Sequence, residues 1–392
     1  MLEQFSPEQI FPPESRVDEI KSVRQTAARR KPLPRVRKTL GVKATDTMAE
    51  AGRKILRFHF AHMLNHEKGT LLGEDIEELH DMRVATRRMR AAFDVFGQYF
   101  KPKAVKKHFK RLRITGRMLG RVRDLDVFME KARQYLETLP DSEHRGLAPL
   151  FNAWGRKRAE EREKLVSYLQ SEEYREFKQD FNQFTSTPDE SAIPISETNP
   201  NPHLVRHVLP VLIYTRLASV QAYEMLIVNA AVEQLHALRI EFKKLRYALE
   251  FFHEVLGHEA KDVINELKSL QDHLGDLNDA NVACQTLSEF IEAEQALQNN
   301  LPLYERQSLE PVVEYLAAKH AERHNLMVTF PELWEHFNRR ESLKNIALSI
   351  SGLQKTKGFL SYLNTRQRSA QAGLLDHRKL PENQIKTDQS AN

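Results

Sequence analysis

From Thr47 to about Thr185, apolar residues recur every three or four positions among Leu, Ala, Arg, Glu and Lys. That period predicts amphipathic helices. The same pattern resumes at His203 and continues to about Tyr362, with breaks expected near Gly257, Pro302 and Pro331. Between the two blocks, Ser186 to Pro202 holds four prolines in 17 residues and no basic residue, which reads as a linker. Residues 1–46 contain five prolines and the run Arg29, Arg30, Lys31, Arg35, Arg37, Lys38, which reads as a flexible cationic arm. Residues 363–392 read as a disordered tail. Alternation of β-branched residues is almost absent, so the expected class is all-α, in two helical halves covering 47–185 and 203–362.

The halves are related. His80-Asp-Met-Arg-Val-Ala-Thr-Arg-Arg-Met-Arg aligns without a gap on His236-Ala-Leu-Arg-Ile-Glu-Phe-Lys-Lys-Leu-Arg at an offset of 156. A second match, Leu119-Gly120-Arg-Val-Arg-Asp124 on Leu274-Gly275-Asp-Leu-Asn-Asp279, follows at an offset of 155. A repeat of this length is too long for a solenoid unit, so each copy is expected to be a helical bundle.

Composition narrows the function classes. The 392-residue chain has 14 glycines, which argues against collagen-like, low-complexity and turn-dense β classes. One cysteine, Cys284, excludes an internal disulfide and a multi-cysteine zinc site, and suits a reducing compartment, hence a cytoplasmic location. No uninterrupted apolar run reaches membrane-spanning length, since Val208 to Tyr214 is soon followed by Arg216, and no secretory signal is evident. The net charge of +5 conceals a strong bias. Residues 80–123 carry 14 Lys+Arg against two Asp, whereas 236–282 carry six Lys+Arg against nine acids.

At about 100° per residue, His80, Arg83, Arg87 and Arg90 share an arc of about 80°, with Arg88 on its flank and Met82, Met89 and Phe93 opposite. A solvated helix face usually mixes signs to gain i,i+4 pairs. Here the row keeps one sign between Arg83 and Arg90, and the second copy keeps the register. Like charges so placed call for an anion, and arginine's planar fork suits phosphate oxygens. Base-stacking aromatics are absent from the arc, which favours a baseless phosphate polymer over single-stranded nucleic acid.

These motifs closely resemble the CHAD family (conserved histidine α-helical domain) over about residues 46–340. The resemblance implies two four-helix-bundle repeats related by a pseudo-twofold axis. It also implies that cationic helices line a groove or pore that binds inorganic polyphosphate, and association with polyphosphate granules and their proteins. The binding residues it carries over are His80, Arg83, Arg87, Arg88 and Arg90, then Lys106, Lys110, Arg113 and Arg117. From the second copy come His236, Arg239, Lys243, Lys244 and Arg246, then Lys261 and Lys268. The sequence departs from the pattern at Asp272 and Asp276, which stand where the first copy has Arg117 and Arg121, so the second half is expected to bind less or only to orient the ligand. The ExExK signature of the triphosphate-tunnel domain that many relatives carry at the N-terminus is not found, and no catalytic partner domain is expected.

Other chemistries are weaker readings. His80 and His236 sit among arginines that disfavour a bound cation, and His59, His62 and His66 read as a helix face rather than metal ligands. Asp124 and Asp126, with Asp276 and Asp279, could suggest a metal-dependent phosphohydrolase. The repeat of Asp124 as Asp279 fits better with pairing to a motif arginine. No nucleophile-base arrangement or Gly-rich phosphate loop is present. The expectation is a non-enzymatic polyphosphate binder without metal or cofactor, with single-stranded RNA binding as the alternative.

Overall fold

The computed structural model describes residues 32–195 and 203–355. Residues 1–31 of the arm, 196–202 of the linker and everything after 355, including the tail, lie outside the described residues. The described chain is all-α. Its helices are α1 (Met48–Asn65), α2 (Glu67–Leu72), α3 (Ile76–Phe96), α4 (Pro102–Leu136), α5 (Ala148–Gln170) and α6 (Glu172–Ser186). The second half adds α7 (Val205–Gln221), α8 (Val232–Phe251), α9 (Ala260–Gln298), α10 (Glu310–Phe337) and α11 (Arg340–Ser351).

Local chemistry places the helix starts. Thr47 Oγ1 accepts from Glu50 N at 3.1 Å and Asp75 Oδ1 from Glu77 N at 2.8 Å, satisfying donors that a helix leaves unpaired. Pro102 opens α4, where its missing N–H costs nothing. The break expected at Pro331 does not occur. α10 runs through it, because Phe330, Trp334 and Phe337 anchor both sides of the proline in the core. That packing outweighs the one backbone hydrogen bond a proline removes.

Packing follows one order in both halves: α1 on α3, α3 on α4 and α4 on α5, then α7 on α8, α8 on α9 and α9 on α10. The arcs read as apolar are the buried ones, with Met82, Met89 and Phe93 on α3 and Leu238, Leu245 and Leu249 on α8. The halves share a core rather than meeting only through the linker. α3 packs on α8, where Phe96 lies 5.5 Å from Phe252 between ring centroids, and farther along Tyr135 lies 4.6 Å from Tyr315.

The segment Val205–Asn229, α7 with the turn after it, has a mean hydropathy of 1.3 over its best window, long and apolar enough by composition to cross a membrane. A run-by-run reading misses it because Arg206, Arg216 and Glu224 interrupt the runs without lowering the average enough. Leu209, Ile213 and Leu217 are buried, so one face of the segment is a wall of the second half.

Residues 32–46, read as part of a flexible arm, are docked. Glu254 accepts from Leu40 N at 2.6 Å and from Val42 N at 3.0 Å, and Val42 is buried in the core. Glu254→Ala leaves both N–H groups without their acceptor, at a cost of about 1–3 kcal/mol. Trypsin cleavage at Lys38 and Lys43 should then accelerate relative to the rest of the chain. Unchanged cleavage kinetics would show that Glu254 does not hold this segment.

Candidate polyanion-binding site

The contact of α3 with α8 brings the two cationic rows together. Lys243 of α8 is half-buried, and its ammonium is pushed below the usual lysine range by burial first, then by Arg239, Arg87 and Arg90. Two of those neighbours come from α3, so the cluster draws on both halves. Arg87, Arg90, Arg239 and Lys243 make no ion pair among the described residues, and the buried Nε atoms of Arg87 and Arg90 have no hydrogen-bond partner. A buried donor left unpaired costs stability unless a ligand completes it.

Two glycines on the neighbouring helices lie beside motif arginines, where an added Cβ would make ordinary van der Waals contact. A Cβ built on Gly120 would lie 3.6 Å from Arg83 Nε, and one on Gly275 would lie 3.8 Å from Arg239 Nη2. These are the glycines of the repeated Leu-Gly motif. Four residues beyond Gly120, Asp124 Oδ1 accepts from Arg83 Nη2 at 3.3 Å. Burial raises the Asp124 carboxyl, Arg83 pulls it back down and Asp279 pushes it up again. The role read for Asp124, holding a motif arginine, is therefore present. Its repeat Asp279 does something else: with Asp276 it receives Lys131 Nζ, each at 3.4 Å. These acids thus clasp a first-half lysine to the second half. Asp126 turns away and pairs with Arg158 of α5.

The cations of α4 divide by face. Lys107, Arg111, Arg121 and Arg123 pair with Asp180, Glu176, Glu161 and Glu77. Lys106, Lys110, Arg113 and Arg117 form an exposed stripe with no ion pair among the described residues, as do Lys261 and Lys268 on α9. The first four are the α4 residues singled out from the sequence. Besides Arg83, three more of the cations carried over from the sequence are already engaged. Arg88 Nη2 and Arg246 Nη1 both meet Glu250, at 3.4 Å each, and Lys244 Nζ meets Glu241 at 2.6 Å. Arg88 and Lys261 also line a cavity with Phe58 and Phe251, apart from the Arg87–Lys243 cluster.

The two histidines differ. His80 is half-buried with Nδ1 unpartnered, and burial first and Arg123 second push it below the usual histidine range. In the protein alone it is therefore neutral at pH 7, and protonation calls for a nearby anion. His236 is exposed and its Nδ1 lies 2.7 Å from Asn278 Oδ1. Asn278 occupies the register of Arg123, so each histidine faces the same position of the following long helix. If an anion recharges His80, affinity should rise as pH falls below about 6.5, and His80→Gln should flatten that rise. Titration of both proteins from pH 5 to 8 checks this, and identical slopes would remove the role.

Sequence reasoning passed over Glu250, Asn278, Lys131 and Arg123. A signal existed for the first, because Asp94 and Glu250 stand at the same offset as the two histidines. Among the described residues, no group of three or more His, Cys, Asp or Glu is placed to hold a metal ion.

The family model described as CHAD domain matches residues 54–288. Among solved structures, the chain is similar to the CHAD domain from the plant Ricinus communis. That match has a TM-score of 0.59 and 24% identity over 78% of this chain and 97% of that one. It is also similar to PptA from Streptomyces chartreusis, with a TM-score of 0.53 and 15% identity over 74% of this chain and 100% of that one. No curated protein matches the chain.

Proposed function

The chain belongs to the CHAD domain family, some of whose members bind polyphosphate, and from that premise we propose that it binds inorganic polyphosphate between α3, α8 and the exposed stripe of α4. One observation carries the reading. On α4, Lys107, Arg111 and Arg121 are paired with carboxylates, whereas Lys106, Lys110, Arg113 and Arg117, with Arg87, Arg90, Arg239 and Lys243, make no ion pair among the described residues. Each phosphate of the polymer offers oxygens that two-pronged arginines can take in parallel. A long chain engages the row as one multivalent ligand, releasing counterions as it docks. Binding without catalysis suits a cytoplasmic protein that attaches to polyphosphate granules or organises them together with other granule proteins.

Competition at fixed salt between long-chain polyphosphate and single-stranded RNA of equal charge tests the reading. Polyphosphate is expected to win, because the cationic arc of His80, Arg83, Arg87 and Arg90 carries no aromatic residue to stack a base. RNA winning would transfer the groove to nucleic acid. Chain shortening when polyphosphate is incubated with the protein and Mg²⁺ would replace binding with hydrolysis.

A further inference from the structure

A cavity of about 570 Å³ opens between residues 38–40, α1, the end of α8 and the start of α9. Its size falls within the range of about 300–1,000 Å³ typical of small-molecule sites. Its walls combine two chemistries. Leu40, Phe58, Phe251 and Ile264 are apolar, while Lys38, Arg88 and Lys261 are cationic. The cationic row of α3 carries no aromatic residue among the described residues, and Tyr247 beside Arg246 on α8 is buried, so this is a different kind of site. Fully charged phosphate polymer would lose hydration against such walls. A purely apolar ligand would leave Lys38 and Lys261 unanswered, Arg88 being shared with the lining Glu250 carboxylate.

Two further observations mark the cavity as built. Arg88 is anchored, because the Glu250 carboxylate that holds it is itself held by Arg246. His59 lines the cavity at 5% exposure, yet its ring makes no hydrogen bond among the described residues. Burial first, then Arg88 and His62, push its pKa down to about 3, so the imidazole is neutral and offers one donor and one acceptor. An edge with a donor beside an acceptor is what a nucleobase presents. Phe58 and Phe251 flank that histidine, with centroids 5.2 and 6.0 Å from its ring.

We infer that this cavity binds a nucleoside phosphate, its base against Phe58, Phe251 and His59 and its phosphates on Arg88, Lys38 and Lys261. The segment held by Glu254 closes one wall, so the site exists only when residues 38–42 are docked.

Calorimetric titration of the full chain with ADP, UDP and inorganic pyrophosphate tests this. At least one nucleotide is expected to bind tenfold or more tighter than pyrophosphate, which carries the phosphates without a base. Phe58→Ala, which removes a wall, and Ile264→Trp, which fills the space, should each weaken that nucleotide at least tenfold. Neither should change the affinity for long-chain polyphosphate more than twofold. The wild-type comparison of nucleotide with pyrophosphate stands even where a variant folds poorly, which circular dichroism will show. Nucleotides binding no tighter than pyrophosphate would overturn the inference. So would nucleotide binding that survives both variants and disappears with Arg87→Glu and Lys243→Glu, since it would then belong to the polyanion surface. A chain that binds nucleotide as expected but ignores polyphosphate would support the cavity and sink the groove.

Discussion

Arg87→Glu combined with Lys243→Glu is expected to abolish measurable binding of long-chain polyphosphate while leaving the helix content unchanged. The two cations come from different halves and electrostatically face one another, with Arg90 and Arg239 alongside. Removing one partner of a buried, hydrogen-bonded charge pair costs about 2–5 kcal/mol, and reversing its sign adds repulsion between the new carboxylate and each phosphate. Two reversals therefore amount to more than about a thousandfold in affinity, since about 1.4 kcal/mol is tenfold. The free protein should respond in the opposite sense. Lys243 is lowered by burial first and then by Arg239, Arg87 and Arg90, so glutamates at 87 and 243 exchange that repulsion for attraction to Arg90 and Arg239. The thermal midpoint without ligand should hold or rise, whereas polyphosphate should raise it only in the wild type. Retained binding by a folded double variant would place the site elsewhere. A fallen midpoint would show that the cluster is structural and that lost binding reports lost fold.

The division between open and engaged cations explains what was legible in the sequence. Periodicity exposed the helices and their buried faces, because Met82, Met89 and Leu245 repeat at the spacing that burial requires. The arc of His80, Arg83, Arg87 and Arg90 was equally visible, being a property of one helix. Which of those cations stays free was not, because its partner comes from far along the chain. Glu250 takes Arg88 from the other half, Lys131 is taken by Asp276 across 145 residues, and Leu40 is held by Glu254 across 214. No local pattern encodes such pairs. Asp276 could thus be read from the sequence only as a deficit of binding charge, and its contact with Lys131 of the first half was not visible there. Pro331 failed for a related reason: a local rule for breaking helices met tertiary packing by Phe330 and Trp334.

Salt and chain length provide the other large effect. Arg87, Arg90, Arg239 and Lys243 with the four cations from Lys106 to Arg117 make eight unpaired positive groups on the proposed surface. With the single-strand slope of about −0.7 per neutralised phosphate, eight contacts predict a loss of roughly a thousandfold in affinity between about 50 and 200 mM salt. Fewer engaged cations give a proportionally shallower slope, so the slope counts the contacts. Orthophosphate can occupy one position at a time and should show a shallow slope with weak binding, since a single exposed ion pair contributes only about 0–1 kcal/mol. Affinity should climb steeply as the polymer lengthens and flatten once it spans the whole row, because further phosphates find no cation. Measuring the salt slope at several chain lengths separates two cases. A slope that grows with length and then saturates identifies an extended, preorganised row. One that stays constant from orthophosphate to long chains would mean a single pocket for one phosphate, and would contradict the groove even where binding itself is tight.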